Sequence, residues 1–413
     1  MAKISPFKAV RPSKEALPNF SSKSYKTYSE NELKKELKNN PTSFLSIINI
    51  KKNASFSVEK LKRYKLVKDR FEAFKQSDVL IKDAVPSYYL YETVQVNGLV
   101  FFGVIATASV EDYDANIIKK HEATISKREN TFKNYLQTVR FNAAPVLLTY
   151  ADDLSLETSI QNAKEKASEF HSWTTGNETH KLWCINNDQD VECIQNAFQK
   201  IPSLYIADGH HRSASSALLA RELTQKEHTT SFVACNHFLT YLIPESQLKI
   251  HDYNRVIKDL NGLNTETFLA QISIDFELEN KGPKPYKSSK KHDISMYLEG
   301  TFYSLSLRAI KQNSQSAIHQ LDTHILQTHL LEPILGITNV RTNSRIGYIH
   351  GVDSTEQIKA TVDREDHAVG FGLHPIETKE LMAIADSNAV MPPKSTYIQP
   401  KLRSGMLIYN IND

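Results

Sequence analysis

The residues best suited to chemistry are crowded into "IADGHHR", where Asp208, Gly209, His210, His211 and Arg212 follow one another without a break. Aspartate, imidazole and guanidinium groups are costly to bury and unnecessary for a plain turn. Three readings fit them: a metal site, an anion cradle, or a hydrogen-bonded loop with no ligand. Adjacent histidines project in different directions, and no H-x-x-x-H or C-x-x-C pair lies nearby, which disfavours a zinc site built from protein alone. Asp208 can still help to hold Mg²⁺ when a nucleotide supplies phosphate oxygens. Arg212 carries a planar fork matched to phosphate.

Two further clusters carry candidate groups. "IIKKHEATISKRENTF" gathers Lys119, Lys120, His121, Glu122, Lys127 and Arg128. A glutamate among cations and beside a histidine can accept the proton of a substrate hydroxyl. The same pattern also reads as a charged helix entry. In "MPPKSTY", Pro392 and Pro393 stiffen the backbone ahead of Lys394, Ser395 and Thr396. A lysine and two hydroxyls on such a turn can grip phosphate or a small polar substrate, or the prolines can simply end a loop before a strand. No Walker A motif, kinase glycine loop or G-x-S-x-G is present.

The elements that must position these groups follow from periodicity. Ser203 to Ala207 has strand character, and Arg212 to Leu223 has helix character with Ala214, Ala217 and Leu218 on one stripe. Asp208-Gly209 therefore falls in a strand-to-helix turn. There the open backbone N–H groups and the positive end of the helix dipole attract anions, and glycine permits close backbone approach. "SYYLYETVQVNGLVFFGVIATASV" alternates, turns at Asn97-Gly98 and continues as a hairpin. Helices are expected over about 30–39, 57–77 (with Val58, Leu61, Leu66, Phe71 and Phe74 as its apolar residues), 156–170 and 190–200. Strands are expected at 143–152, 180–186, 232–243 and 301–309. "SAIHQLDTHILQTHLLEPILG" reads as one long helix ending at Gly336, whose His319, His324 and His329 do not share a face. The lysine-rich stretch from Lys281 to Asp293, with two prolines, reads as a solvated loop.

The 413 residues suffice for two domains, expected at 1–246 and 247–413, the latter a C-terminal α+β lobe. Strands and helices intermixed with a hairpin indicate a mixed α/β or α+β fold rather than parallel winding. A net charge of +3 lacks the footprint of a nucleic-acid binder. Three cysteines, irregularly spaced, suit a reducing compartment. The first residues lack the apolar core of a signal peptide, and the longest apolar run, 98–110, is short for a membrane span. A cytoplasmic protein without membrane or nucleic-acid partners is expected, a homodimer being open.

"LYIADGHHR", "HEATISKRENTF", "LDTHILQTHLLEPILGI" and "MPPKSTYIQPKLRSGMLIY" occur in this order in a widespread bacterial family long catalogued as a domain of unknown function, which this chain resembles over nearly its whole length. The Asp-Gly-His-His-Arg element is also similar to the nucleotide-binding motif of the ParB/sulfiredoxin-like superfamily, which includes free-serine kinases. That resemblance implies a ParB/sulfiredoxin-like core in which residues 208–212 hold nucleotide phosphates and Mg²⁺ from ATP or ADP. It further implies a glutamate base before the motif, matching Glu122 beside His121. Two departures stand out: Ser213-Ala214 replaces an aromatic-acidic pair, and Gln327-Thr328 replaces a His-Glu pair. The expected activity is a small-molecule kinase converting free L-serine to O-phosphoserine. The alternatives are a non-catalytic nucleotide-binding module and a metal-dependent hydrolase centred on His210 and His211.

Overall fold

The hairpin is built around Gly98, whose φ of +78° is open to glycine at no steric cost. Strands Tyr88–Val94 and Val100–Ser109 pair antiparallel on either side of it. The computed structural model describes residues 1–49, 58–167, 169–227, 234–311, 316–351, 354–364 and 366–412. Its elements form a mixed α/β architecture, divided into two compact units: residues 1–248 with 400–413, and residues 249–399. The boundary lies at Leu248/Lys249 rather than 246/247. The last residues depart from the expected second lobe because strand Ile408–Asn410 pairs with Ala9–Pro12 and Phe141–Asn142 of the first unit.

Nine strands among the described residues make the main sheet of the first unit. Its path runs from Ile118–Lys119 through Leu204–Asp208, Val146–Tyr150, His237–Pro244, Val100–Ser109, Tyr88–Val94 and Glu178–Ile185 to Glu169–Thr175. Ile4–Ser5 joins at the side, against Val100–Ser109. Most neighbours are antiparallel, but two pairs are parallel: Ile118–Lys119 with Leu204–Asp208, and Val146–Tyr150 with His237–Pro244. The core beneath includes Leu90, Val104, Leu148, Ile194, Phe198, Ile206 and Phe238, all essentially without exposure. Helix His210–Glu227 packs on it through Ala214, Ala217 and Ala220. Leu218, expected on that stripe, is only half-buried, since a spacing of three keeps small side chains against the sheet.

The helix at Glu30–Asn39 forms as expected, opened by a capping box between Ser29 and Glu32. The helix expected over 57–77 spans Val58–Gln76. Its buried contacts are Val67 and Phe71, whereas Leu61 and Leu66 are exposed. The helix expected to reach 170 is Leu154–Lys166, stopped where strand Glu169–Thr175 begins. The strand expected from 232 begins at His237; residues 232 and 233 lie outside the described residues.

In the second unit a six-stranded antiparallel sheet runs Phe276–Gly282, Thr301–Leu307, Asp293–Leu298, Val369–Gly372, Tyr253–Ile257, Ile346–His350. The expected long helix over 316–336 is not one. An α-turn, Asp322–Leu326, passes into a π-turn, Gln327–Leu331, where Glu332 N donates to Gln327 O at 3.0 Å. His319, in the turn ahead of this segment, stacks on His324 with ring centroids 4.7 Å apart. His329 faces Asp275 at 2.6 Å. No described helix is long and apolar enough to cross a membrane.

Candidate functional site

The parallel register of strands Ile118–Lys119 and Leu204–Asp208 sets Leu204 opposite Ile118 and Tyr205 opposite Lys119. Both strands therefore run out at the same edge, where ligands of α/β sheets commonly bind. One delivers His121 and Glu122 there, the other Asp208 and the turn into helix His210–Glu227. The two helices that follow are fastened to each other. Lys133 pairs with Glu222 at 2.8 Å, and Ser215 Oγ donates to Glu129 O at 3.1 Å, so helix Ser126–Val139 holds its partner near both ends.

Gly209 has φ +110°, a conformation L side chains rarely adopt. The Arg212 guanidinium lies over it: a Cβ there would sit 3.0 Å from Arg212 Cζ. Arg212 has partners within the protein. Its fork is turned inward, donating through Nη1 to Ala144 O (3.2 Å) and Pro145 O, and through Nη2 to Asp208 Oδ2 at 2.9 Å. Arginine here locks the turn onto the neighbouring strand and orients Asp208. Sequence reasoning missed Lys401, whose Nζ lies 3.9 Å from Asp208 Oδ1; only the return of the C-terminal segment to this unit brings it there.

His210 is 4% exposed, and its Nδ1 lies 3.5 Å from Glu122 Oε2. Burial, aided by the charges of His211, Arg212 and Lys120, pushes its pKa down to about 3. The contact is therefore a neutral imidazole facing a carboxylate, not an ion pair. His121 stands edge-on to His210, ring centroids 4.4 Å apart, and is likewise held neutral by burial and by His210. Its Nδ1 and the Nε2 of His210 are buried with no hydrogen-bond partner among the described residues. Orphaned polar atoms at a helix N-terminus mark a place where a ligand can supply what the protein does not. Glu122 itself keeps 48% of its side chain exposed.

No group of three His, Cys, Asp or Glu side chains that could hold a metal occurs among the described residues. The metal-hydrolase reading of His210 and His211 thus lacks a donor set. Asp208, a single half-exposed carboxylate, fits Mg²⁺ only if phosphate oxygens complete the shell.

Lys394, Ser395 and Thr396 belong to the other unit. Ser395 is buried, and its Oγ bonds to Pro392 O (2.7 Å) and Thr323 Oγ1 (3.2 Å), which helps to build the proline turn. Lys394 is exposed, with φ +63° and its Nζ 5.6 Å from the centre of the Tyr253 ring.

A family profile described as "Protein of unknown function (DUF1015)" matches residues 4–324, well over half the chain. The chain belongs to the DUF1015 family. Within DUF1015, the match takes in both His121-Glu122 and the 208–212 turn. No curated protein matches the sequence. Among solved structures, this DUF1015 chain is similar to SbnI with C-terminal truncation from Staphylococcus aureus, at 13% identity and TM-score 0.37, covering 71% of this chain and 82% of that one. It is similar to a free serine kinase in complex with AMP at 12% identity and TM-score 0.35, covering 71% and 87%. A conserved hypothetical protein from Pyrococcus furiosus matches at 12% identity and TM-score 0.34, covering 71% and 90%. Backbone correspondence this loose assigns no residue a role.

Proposed function

We propose that the 118–122 and 204–212 edge of the first unit is the active site of a small-molecule phosphotransferase, with nucleotide phosphate at the Gly209–His211 turn and a hydroxyl acceptor at Glu122. The observation that carries this is the Glu122–His210 juxtaposition: a half-exposed carboxylate 3.5 Å from a buried, neutral imidazole at the mouth of a helix N-terminus. The Asp-Gly-His-His-Arg resemblance to free-serine kinases supports L-serine as acceptor, and ATP or ADP as donor.

In that reading Glu122 takes the hydroxyl proton, the serine oxygen forms its bond to phosphorus, and the bond from phosphorus to the nucleotide's bridging oxygen breaks. Backbone N–H groups at the start of helix His210–Glu227 stabilise charge on the transferring group, without reorganising as it develops. His210 positions Glu122 by donating from Nδ1. Arg212 acts through Asp208 and Gly209 rather than by touching phosphate. Asp208 would help to hold Mg²⁺, which would supply charge neutralisation for the phosphates.

The test is direct. Purified protein, incubated with L-serine, Mg²⁺ and either ATP or ADP, yields O-phosphoserine detectable by ³¹P NMR. Absence of phosphoserine with both nucleotides overturns the reading. Nucleotide binding without turnover would instead leave the non-catalytic module.

A further inference from the structure

The second unit holds a cavity of about 280 Å³ whose lining includes Arg255, Thr323, Gln327, Arg341, Pro392 and Pro393. Arg255 is unusual within it. It sits mid-strand in Tyr253–Ile257, is 2% exposed, and has no carboxylate paired with it among the described residues. Its Nη1 donates to Tyr253 O and its Nη2 to Lys394 O at 3.2 Å, both neutral acceptors. Its Nε is buried without a hydrogen-bond partner among the described residues. Apart from these carbonyls the guanidinium faces the Tyr348 ring, 5.9 Å from its centre, and a cation taken out of water with no carboxylate partner and one donor unused is an unfavourable arrangement that an anion relieves.

Two features adapt the cavity to more than charge. The π-turn over Gln327–Leu331 places Gln327 in the wall, with Nε2 donating to Ile337 O at 2.8 Å and Oε1 buried without a partner among the described residues. Such turns recur at functional sites because the extra residue re-aims a side chain at the expense of regular helix. Opposite in chemistry to Arg255, Gln327 Oε1 needs a donor. Arg341, exposed, adds positive charge to the lining, and exposed Glu332 is the lining carboxylate. The Pro392-Pro393 turn is pinned to the same arginine through Lys394 O, which gives the proline motif a structural partner.

We propose that this cavity binds a small organic carboxylate that also carries a hydrogen-bond donor, such as an α-amino or α-hydroxy acid, with its carboxylate on Arg255 and its donor on Gln327 Oε1. A cavity of this size holds several water-sized groups, enough for such a molecule. The inference is independent of phosphotransfer in the first unit and is tested without nucleotide.

The full chain is titrated calorimetrically with L-serine, glycolate, acetate and inorganic phosphate. Saturable binding of L-serine or glycolate, at least tenfold tighter than acetate, is expected. Arg255→Met weakens it at least 100-fold, and Gln327→Leu brings L-serine or glycolate down to the level of acetate. Because Arg255→Met also strips donors from two carbonyls and can unfold the unit, exposed Arg341→Ala serves as the second variant, with a three- to tenfold loss and an unchanged melting temperature. Tighter binding of phosphate than of any carboxylate, or no saturable binding at millimolar ligand, overturns the proposal. So does a folded Arg255→Met protein that binds like the parent.

Discussion

Glu122 Oε2 lies 3.5 Å from His210 Nδ1, a meeting of two residues far apart in sequence that the parallel pairing of Ile118–Lys119 with Leu204–Asp208 brings about. A carboxylate held against a neutral imidazole, on the open edge of a sheet, suits proton abstraction. Glu122→Gln preserves shape and removes the base. The expected result is a fall in kcat for serine phosphorylation of about 10²–10⁴-fold, with nucleotide affinity within a few-fold of the parent. Steady-state kinetics with separate binding titrations decides it, and an equal loss in both would make Glu122 a binding group.

Buried histidines give the first unit a defined response to pH. Burial pushes His210 to about 3 and both His180 and His237 to about 4, against an ordinary value near 6.5. Below pH 6.5 the unfolded chain takes up protons that the folded chain refuses. Stability is therefore full above that value and falls as pH is lowered towards 4, by about 1.4 kcal/mol per pH unit for each histidine. Urea midpoints at pH 7.5, 6 and 5 should decline in that order, and His210→Gln should shallow the decline. A midpoint flat from 7.5 to 5 would contradict the neutral assignment.

Gly209→Ala adds a Cβ at φ +110° and drives it to 3.0 Å from Arg212 Cζ and Nη2. The expected destabilisation is about 1–3 kcal/mol. Because the guanidinium must move, Asp208 should also lose its orientation. Thermal unfolding measures the first effect. The second appears as weaker nucleotide binding, and a variant as stable as the parent would refute the strained turn.

Arg212→Lys separates the two roles open to this arginine. If its fork holds the 144–145 carbonyls and Asp208, as the hydrogen bonds place it, lysine cannot replace three contacts at once. Stability should fall by about 1–3 kcal/mol even without ligand. A residue that only touched phosphate would leave the ligand-free melting temperature unchanged.

Local order was legible in the residues. The Asn97-Gly98 hairpin, the helix at Glu30–Asn39 and the strand-turn-helix around Gly209 all follow from alternation, capping and glycine, which act between near neighbours. Apolar spacing over 316–336 reads as one helix, but it shows neither the turn at 317–320 nor the change from α to π winding after Leu326. What Arg212 touches was equally hidden, since two of its partners are the backbone carbonyls of Ala144 and Pro145, ahead of strand Val146–Tyr150, and these carry no sequence signal.

Residue types and short-range spacing alone singled out Asp208–Arg212 and His121-Glu122 as chemical groups, because side-chain chemistry and turn preference are local properties. Which of them meet was decided by tertiary structure. The parallel strand pair set Glu122 against His210, and the returning C-terminal segment brought Lys401 to Asp208. Burial made the two imidazoles neutral, and in the second unit it enclosed the Arg255 guanidinium with no carboxylate paired with it among the described residues. Desolvation and long-range pairing depend on what surrounds a group in space, and no window of sequence contains that.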